Sequence, residues 1–281
     1  MTSSTHQAFG LTSNRTRTAP WLAIAGAKGG VGKTMLATNL ALLLSRAGYK
    51  TLLVDFDPGC GNVGVQLRIG ATHDLEHVAD GTCAPEQAIA SGPGRLSVLL
   101  GRSGSTALSG ASEAHIASLL RAVRTAANDF DVVVVDTGAG LSPSTLAVVE
   151  QADVTLGGTT PEVTALTDAY ALCKVLHQRG RPLPRLVVNR VRNREEAMRT
   201  AQKLSTVTRK FLEVDSALCG WVAHDAMVEH SIRDQRPLAL HGQGKGLEDL
   251  RSICAAALAA LPPMQRRLQP AQASRRVLLR P

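Results

Sequence analysis

Residues Lys28 to Thr34 read KGGVGKT, and this stretch constrains the fold more than any other part of the chain. It lies between an apolar run typical of a strand, Trp21 to Gly26, and a helical pattern that runs from Thr34 to Ala47. A glycine-rich turn in this position directs several backbone N–H groups and a helix N-terminus at one anion, because no side chain obstructs the approach. The sequence therefore predicts a phosphate-binding loop.

The side chains of this loop suit a nucleotide phosphate together with a magnesium ion. Lys33 is expected to place its ammonium group against the β- and γ-phosphates. The Thr34 hydroxyl is a hard oxygen ligand of the kind that Mg²⁺ prefers. The general pattern G-x-x-x-x-G-K-[ST] has glycine at position 27, where this chain has Ala27, and an extra lysine, Lys28, follows it. The start of the loop therefore departs from the general pattern.

Length and composition indicate the domain organisation and the compartment. A chain of 281 residues can bury a full core, and we expect one domain over residues 21–261 with flexible ends at 1–20 and 262–281. Five scattered cysteines without C-x-x-C spacing disfavour a disulfide framework and a zinc site. The polar start has no apolar segment for secretion, and no apolar run approaches the roughly 18 residues of a spanning helix. We therefore expect a cytoplasmic protein.

The net charge of +8 is concentrated at the two ends of the chain. Residues 1–20 contain two arginines and residues 262–281 contain five, and neither segment contains an acidic residue. The body between them is close to neutral. Nonspecific binding to nucleic acid requires many phosphate contacts, so the body argues against it, and specific binding is not expected either. The tail with Arg275, Arg276 and Arg280 favours at most weak contact with anionic lipid.

Apolar runs alternate with helical patterns from Trp21 onward, which predicts an α/β fold. The runs are almost continuously apolar, as in parallel strands buried on both faces. We expect a single doubly wound, mostly parallel sheet of about seven or eight strands with helices on both faces. The predicted strands are Trp21–Ala25, Thr51–Val54, Leu96–Leu100, Val132–Val135, Val154–Gly157, Leu186–Val188 and Gly220–Val222. The predicted helices are 34–47, 75–90, 112–127, 163–178, 194–207 and 246–261.

Two of these strands end in aspartate, at the edge of the sheet where ligands bind in this topology. The run through Val135 continues into Asp136, and the run through Val54 continues into Asp55, with Asp57 two residues later. We expect Asp136 to hold Mg²⁺ through a water, and one of Asp55 and Asp57 to face the metal while the other reaches a water. A single aspartate at a strand end is often only a turn former, but three beside a phosphate loop favour a site.

Glycines follow the strand that ends at Asp136. Gly138 and Gly140 allow the chain after Asp136 to approach a γ-phosphate closely. Residues 136–143 are therefore a candidate nucleotide-sensing segment.

Together these residues resemble the MinD/ParA family of deviant P-loop ATPases, over about residues 20–261. The family's loop reads KGGxGKT with an additional lysine near its start, where this chain has Lys28, and the family tolerates residues other than glycine at position 27. The resemblance implies a SIMIBI-type P-loop NTPase fold, ATP or ADP with Mg²⁺ as ligands, and slow hydrolysis of ATP that dimerisation or a partner stimulates.

Within this family, three stretches resemble the flagellar-number regulators FlhG/FleN, also called YlxH. They are DFDPGCGNVGVQL at 55–67, DTGAGLS at 136–142 and TTPEVTALTDAYALCKVL at 159–176. The third is the most discriminating, because ATP hydrolysis in general does not require Pro161 and Glu162 followed by the stretch from Thr167 to Tyr170. The resemblance implies an ATP-dependent dimerisation switch that regulates flagellar number or placement.

The resemblance also implies roles for individual residues. Asp57 would position or activate the attacking water, and Lys28 would reach across a sandwich dimer to the partner's nucleotide. Asn189, with Arg190 beside it, matches the adenine-binding position, and Asn62 would face the dimer interface. The expected nucleotide-binding residues are Gly29, Gly30, Val31, Gly32, Lys33, Thr34, Met35, Asn62, Gly138, Asn189, Arg190 and Asp225. The expected metal-binding residues are Thr34, Asp55 and Asp136.

The implied partners are a second copy of the chain, the FlhF GTPase, and flagellar switch or transcription-activator proteins. Many relatives stimulate FlhF through an N-terminal D-Q-A-x-x-L-R segment, of which this chain keeps Gln7, Ala8 and Leu11 but not the Asp or the Arg. Reversible contact with the inner face of the membrane would use the C-terminal tail, since the apolar stripe of 246–261 favours a core helix.

Two alternatives remain open. One is an ATPase that partitions DNA or cargo, and the other is an adaptor that inhibits a transcription activator without significant turnover.

Overall fold

The computed structural model describes residues 18–104, 108 and 110–264. The predictions for residues 1–17, including the segment with Gln7 and Ala8, and for the tail from 265 to 281 lie outside these residues. Eight strands form one sheet in the order β3-β4-β2-β5-β1-β6-β7-β8. The strands are β1 Trp21–Ala25, β2 Thr51–Phe56, β3 Ile89–Ser91, β4 Ser97–Leu99, β5 Val132–Thr137, β6 Val154–Thr159, β7 Arg185–Val191 and β8 Leu218–Ala223.

Helices connect the strands. They are α1 Lys33–Arg46, α2 Val63–Leu67, α3 Leu75–Ala79, α4 Pro85–Ala88, α5 Glu113–Ala126, α6 Pro143–Gln151, α7 Val163–Gln178, α8 Arg194–Leu212, α9 Ala226–Arg233, α10 Leu238–His241 and α11 Lys245–Ala260. Single 3₁₀ turns lie at Pro93–Arg95 and Ala127–Asp129. All neighbouring strands pair in parallel except β3 and β4, which are antiparallel. The predicted doubly wound, mostly parallel sheet is confirmed.

Both faces of the sheet are covered because the residues of each strand alternate between them. In β1, Leu22 and Ile24 join a buried cluster with α1 and α11 on one face. Trp21, Ala23 and Ala25 of the same strand join a second cluster with α5 and α6 on the other face. The strands are thus apolar on both sides, which explains their nearly continuous apolar sequence.

The C-terminal helix α11 is a core helix, as predicted for 246–261. Leu250 and Ile253 are fully buried in the cluster that also contains α1. The backbone N–H of Ala223, at the end of edge strand β8, donates to the Asp249 carboxylate of α11 at 2.9 Å. This helix therefore fixes the last strand of the sheet.

The single helix predicted over 75–90 is wrong. The segment forms two short helices, α3 and α4, and then β3, which pairs with β4. Gly81 adopts φ of 78°, which ends the first helix, and Pro85 starts the second because its missing N–H is not needed there. The apolar spacing of 75–90 thus arises from three elements that share one buried side.

Among the described helices, α2, α6 and α10 were not predicted. Residues at the start of α6 are typical of a helix N-terminus. The Ser142 hydroxyl accepts the Thr145 N–H as an N-cap, and Pro143 lies in the first turn. No helix in the described part of the chain has the length and apolarity that crossing a bilayer requires.

A buried asparagine fastens α10 to α1. Asn39 is 2% exposed; its amide donates to the Met35 carbonyl at 2.8 Å, and its carbonyl accepts the Ala239 N–H at 2.9 Å. We predict that Asn39→Ala lowers the free energy of unfolding by about 1–3 kcal/mol, because the Ala239 N–H loses its partner in a buried place. Urea unfolding followed by circular dichroism measures this difference.

The matched control is Gln202→Ala on the exposed side of α8, which should change the free energy of unfolding by no more than about 0.5 kcal/mol. Equal unfolding midpoints for the two variants would contradict the fastening role of Asn39.

Candidate nucleotide-binding site

The strand order changes direction between β1 and β6, since the chain leaves β1 towards β2 on one side and leaves β6 towards β7 on the other. In this fold class a ligand crevice forms at the C-terminal edge of the sheet at such a point. The helix that follows β1, α1, covers one face of the sheet, and the helix that follows β6, α7, packs on the other. At such a point the two connections diverge and leave room for a ligand. The loop of residues 26–32 occupies this position, directly before α1.

The loop leaves the N-terminus of α1 open. Gly32 is the N-cap residue with φ of 95°, a left-handed conformation that favours glycine, and no side chain of the described residues caps this helix end. The first-turn N–H groups are therefore free to bind an anion. Gly29 and Gly30 lie exposed at the mouth, whereas the side chains of Val31 and Met35 are buried and only their backbone groups could face a ligand.

Two buried carboxylates lie side by side below the loop. Strands β2 and β5 pair in register, which places Asp55 opposite Asp136. Burial raises the pKa of Asp55 to about 7, although it accepts the Val63 N–H at 3.0 Å and the Asp57 N–H at 3.3 Å. Burial, and then the charge of Asp55, raise the pKa of Asp136 well above its ordinary value.

Lys33 is the buried cation of the site. It is 8% exposed, and burial lowers its pKa, while the charges of Asp136 and Asp57 act in the opposite direction. The ammonium group and the carboxylates thus occupy one poorly hydrated region, in which the acidic groups outnumber the lysine.

The donor set fits a hard divalent cation. Both carboxylate oxygens of Asp136 are buried, and among the described residues no donor makes a hydrogen bond of standard geometry to them. The Thr34 hydroxyl lowers the pKa of Asp136, so it approaches the carboxylate without completing such a bond. Acidic, histidine and cysteine side chains of the described residues form no cluster of three that could hold a metal alone. Mg²⁺ would therefore depend on Thr34, Asp136, waters and the phosphates themselves.

Asp57 lies where the chain turns away from β2. Its Oδ1 accepts the N–H groups of Gly59 and Cys60, each at 3.0 Å. A Cβ atom on Gly138 would lie 3.2 Å from the same oxygen, so Asp57 and the segment after β5 are in contact. The structure thus brings Asp57 together with the predicted sensing segment 136–143.

Lys28 has partners in its own chain. Its Nζ forms an ion pair with Glu162, at the N-cap position of α7, and donates to the Thr164 hydroxyl at 2.9 Å. The interaction with Lys28 lowers the pKa of Glu162. Exposed ion pairs contribute little to stability, so this contact is easily exchanged for another. The role of Lys28 across a dimer stays a prediction.

Asn189, at the end of β7, reaches the loop directly. Its Nδ2 donates to the Val31 carbonyl at 2.9 Å, and its Oδ1 accepts the N–H of Arg190 at 2.9 Å. Arg190 is exposed, and its charge lies close enough to Glu162 to lower the pKa of that carboxyl. The predicted adenine-binding position is therefore next to the loop, and contact with a base stays a prediction.

Two predicted nucleotide ligands are the N-cap residues of helices α2 and α9. Asn62 is exposed at the N-cap of α2, directly before Val63, which Asp55 holds. Asp225 uses one carboxylate oxygen to cap α9 at Met227 and the other to accept the Gly246 N–H at 3.2 Å. The structure gives Asp225 a local bonding role, and its contact with a nucleotide stays a prediction.

Sequence reasoning missed the partners of these residues. Glu162 and Thr164 lie 134 and 136 positions from Lys28, so no local pattern connects them, although TTPE was the most distinctive stretch of the sequence. Ser103, which donates to the Gly61 carbonyl at 2.6 Å, carries no motif at all.

The comparison with protein families agrees with this geometry. Residues 22–237 match the family described as the CobQ/CobB/MinD/ParA nucleotide binding domain. The chain belongs to the CobQ/CobB/MinD/ParA family. The resemblance to MinD/ParA proteins inferred from KGGVGKT is therefore confirmed.

Relatives with curated names are similar over most of the chain. Antiactivator FleN of Pseudomonas aeruginosa is 34% identical over 216 residues, which cover 76% of this chain and 77% of FleN. Flagellum site-determining protein YlxH of Helicobacter pylori is 28% identical over 219 residues, covering 78% and 74%. The septum site-determining protein MinD of Pyrococcus horikoshii, solved with Mg-ADP, has a TM-score of 0.72 at 21% identity and covers 84% of this chain and 95% of that one. That structure supports the fold.

The raised pKa of Asp55 predicts a pH-dependent stability in metal-free buffer. The folded protein holds the Asp55 proton up to about pH 7, whereas an unfolded aspartate releases it near pH 3.9. The free energy of unfolding of the wild type therefore falls as the pH rises through this window. Asp55→Asn cannot titrate. The free energy of unfolding of this variant, relative to that of the wild type, should therefore increase by up to about 1.4 kcal/mol for each pH unit between pH 5 and 7.

Urea unfolding at several pH values in the presence of EDTA measures this gain. Asp215→Asn is the control, because Arg209 lowers the pKa of Asp215 and this group is ionised in both states above pH 5. Parallel pH profiles for Asp55→Asn and the wild type would show that burial does not raise the Asp55 pKa.

Proposed function

We propose that this protein is an ATP-binding, ATP-hydrolysing dimerisation switch that regulates the number or placement of flagella. The open helix end behind KGGVGKT, next to the buried Asp136 without a standard hydrogen bond, carries the nucleotide part of the proposal. The similarity to FleN and YlxH carries the flagellar part.

The site residues divide the work of phosphoryl transfer to water. The loop amides and Lys33 hold the phosphates, Thr34 and Asp136 hold the metal, and Asp57 orients the attacking water. Mg²⁺, when bound, neutralises charge that develops on the phosphate oxygens. Asp55 holds the segment after β2 in place through Val63, and its contact with the metal stays a prediction. Asn189 and Arg190 lie at the adenine end.

ATP would also control self-association. Lys28 would leave Glu162 and reach the nucleotide of a second copy, so that the γ-phosphate and the dimer stabilise each other. The exposed Asn62 and Val163, which is 75% exposed, lie on segments that contact the site and would be covered in such a dimer.

Light scattering coupled to size-exclusion chromatography tests the dimer. We expect the wild type to dimerise with Mg-ATP and to stay monomeric with Mg-ADP. Lys28→Ala should weaken the ATP-dependent dimer by about tenfold or more, or ~1.4 kcal/mol, because a charge-assisted contact to phosphate is lost. Arg192→Ala is the control, since that side chain is 88% exposed and lies outside the site.

A monomer with both Mg-ATP and Mg-ADP would contradict the proposed dimerisation switch.

Turnover is tested separately through phosphate release. Asp57→Asn keeps an oxygen for the Gly59 and Cys60 amides and removes the charge, so it should slow hydrolysis and preserve the dimer. Equal rates for this variant and the wild type would favour the adaptor without turnover. Flagella counted by electron microscopy in a deletion strain, complemented with wild type or Lys28→Ala, test the cellular role.

FleN is named an antiactivator, so the expected partners include a transcription activator besides a second copy of the chain. A flagellar switch protein and the FlhF GTPase are further candidates. The segments proposed for FlhF stimulation and for weak membrane contact lie outside the described residues, and the cytoplasmic location with reversible membrane contact is part of the same proposal.

One observation favours a second candidate, a DNA-partitioning ATPase. Residues 174–210 contain eleven lysines and arginines but only two acidic residues, so the near-neutral body conceals a strongly basic segment. Helix α8 presents part of it on its exposed side, namely Arg194, Arg199, Lys203, Arg209 and Lys210. Such a surface suits a phosphate backbone.

Salt-dependent binding of duplex DNA in the presence of ATP tests this candidate. If it holds, Arg199→Ala combined with Lys203→Ala should lower the slope of log affinity against log salt by about two, because two phosphate contacts are lost. Gln202→Ala, on the same side of α8, should leave the slope unchanged. No DNA binding by the wild type at low salt would remove the candidate.

A further inference from the structure

We propose that Asn189 is a positioning residue of the phosphate-binding loop, which it holds in the anion-binding conformation before any nucleotide arrives. The inference rests on the proposed function, because it concerns the same site. It assigns to Asn189 a task that is separate from contact with adenine.

The side chain of Asn189 connects two elements that are far apart in the sequence. Its Nδ2 donates to the carbonyl of Val31, 158 positions away, and the bond is buried. Asn189 itself is 4% exposed. A buried carbonyl in the middle of the loop would otherwise lose its hydration without a partner, so the bond favours this one loop conformation over others.

A bulge in β7 aims this side chain at the loop. Between Val188 and Val191 the pairing with β8 shifts, so that one extra residue is accommodated on β7. Arg190 adopts φ of 57° there, and its N–H donates to the Asn189 Oδ1 at 2.9 Å. Bulges redirect side chains in this way, and the asparagine stabilises the bulge that aims it. Both ends of its carboxamide are therefore used within the protein.

The loop is shaped to receive the amide. A Cβ atom on Gly32 would collide with the Asn189 Nδ2, so this glycine serves contact with Asn189 as well as the left-handed turn. The Val31 carbonyl and the Gly32 N–H belong to the same peptide group. Because the C=O and the N–H of a trans peptide point in opposite directions, holding the carbonyl on Asn189 turns the Gly32 N–H away from Asn189 and leaves it free to bind an anion.

The two possible roles of Asn189, holding the loop in place as a tether and contacting the adenine base, affect different ligands. A tether supports every ligand of the loop, whereas a base contact supports only ligands with adenine. Tripolyphosphate with Mg²⁺ carries the phosphates of ATP without a base, so it separates the two tasks. The tether also acts without ligand, which makes amide hydrogen exchange in residues 26–36 a direct measurement of it.

Isothermal titration calorimetry with Mg-ATP and with Mg-tripolyphosphate, and hydrogen exchange of the ligand-free protein, test the proposal on the full chain. For Asn189→Ala we expect affinity for both ligands to fall by similar factors of about ten, and exchange in residues 26–36 to accelerate severalfold. Asn189→Ser, whose hydroxyl is too short to reach Val31, is the second variant if the first does not fold. Arg192→Ala, three positions along the chain, is the control and should match the wild type.

Each remaining result decides the matter. If Asn189→Ala binds ATP more weakly while tripolyphosphate affinity and hydrogen exchange stay at wild-type values, Asn189 reads the base and the tether is rejected. Unchanged affinity and exchange reject it as well. If the wild type binds neither ligand, the proposed function fails, and hydrogen exchange alone decides whether Asn189 holds the loop.

Discussion

Burial of two carboxylates at one level of the sheet is the constraint on which the rest of the site depends. Asp55 and Asp136 meet there because β2 and β5 pair in register, and both are fully buried. Negative charge in such a place is costly unless protons or cations compensate it. Lys33 supplies one cation, and the free oxygens of Asp136 leave room for another. The negative charge that a metal would compensate is therefore a consequence of strand register and not only of the loop.

Asp55 and the nearby Asp57 also hold the chain that leaves β2. Asp55 binds the N–H of Val63, and Asp57 binds those of Gly59 and Cys60. A change of charge or ligation at Asp55 therefore acts on the whole turn from 57 to 63. Ser103 anchors this turn from the β4 side through Gly61. The buried carboxylates and the shape of an exposed surface are thus connected through very few bonds.

The parts of the fold that depend on long apolar runs could be predicted from the sequence, and the parts that depend on distant contacts could not. All seven predicted strands exist, because a strand buried on both faces must be apolar throughout. None of the three residues of edge strand β3 is fully buried, so this strand carries no such apolar run. In the site, the loop and its aspartates were visible as local motifs, whereas the Lys28–Glu162 pair and the Asn189–Val31 bond join residues more than a hundred positions apart.

The two edges of the sheet limit how copies of this protein can meet. At one edge, β3 has only three residues and runs antiparallel to its neighbour, so it offers an added strand few hydrogen bonds. At the other edge, the N–H of Ala223 already donates to Asp249. Ile253 of α11 packs so closely on Gly220 that a Cβ atom at this glycine would clash with it. Continuation of the sheet from one molecule into the next is disfavoured on both sides. Crowding many copies at one place in a cell would therefore not by itself convert them into a fibre.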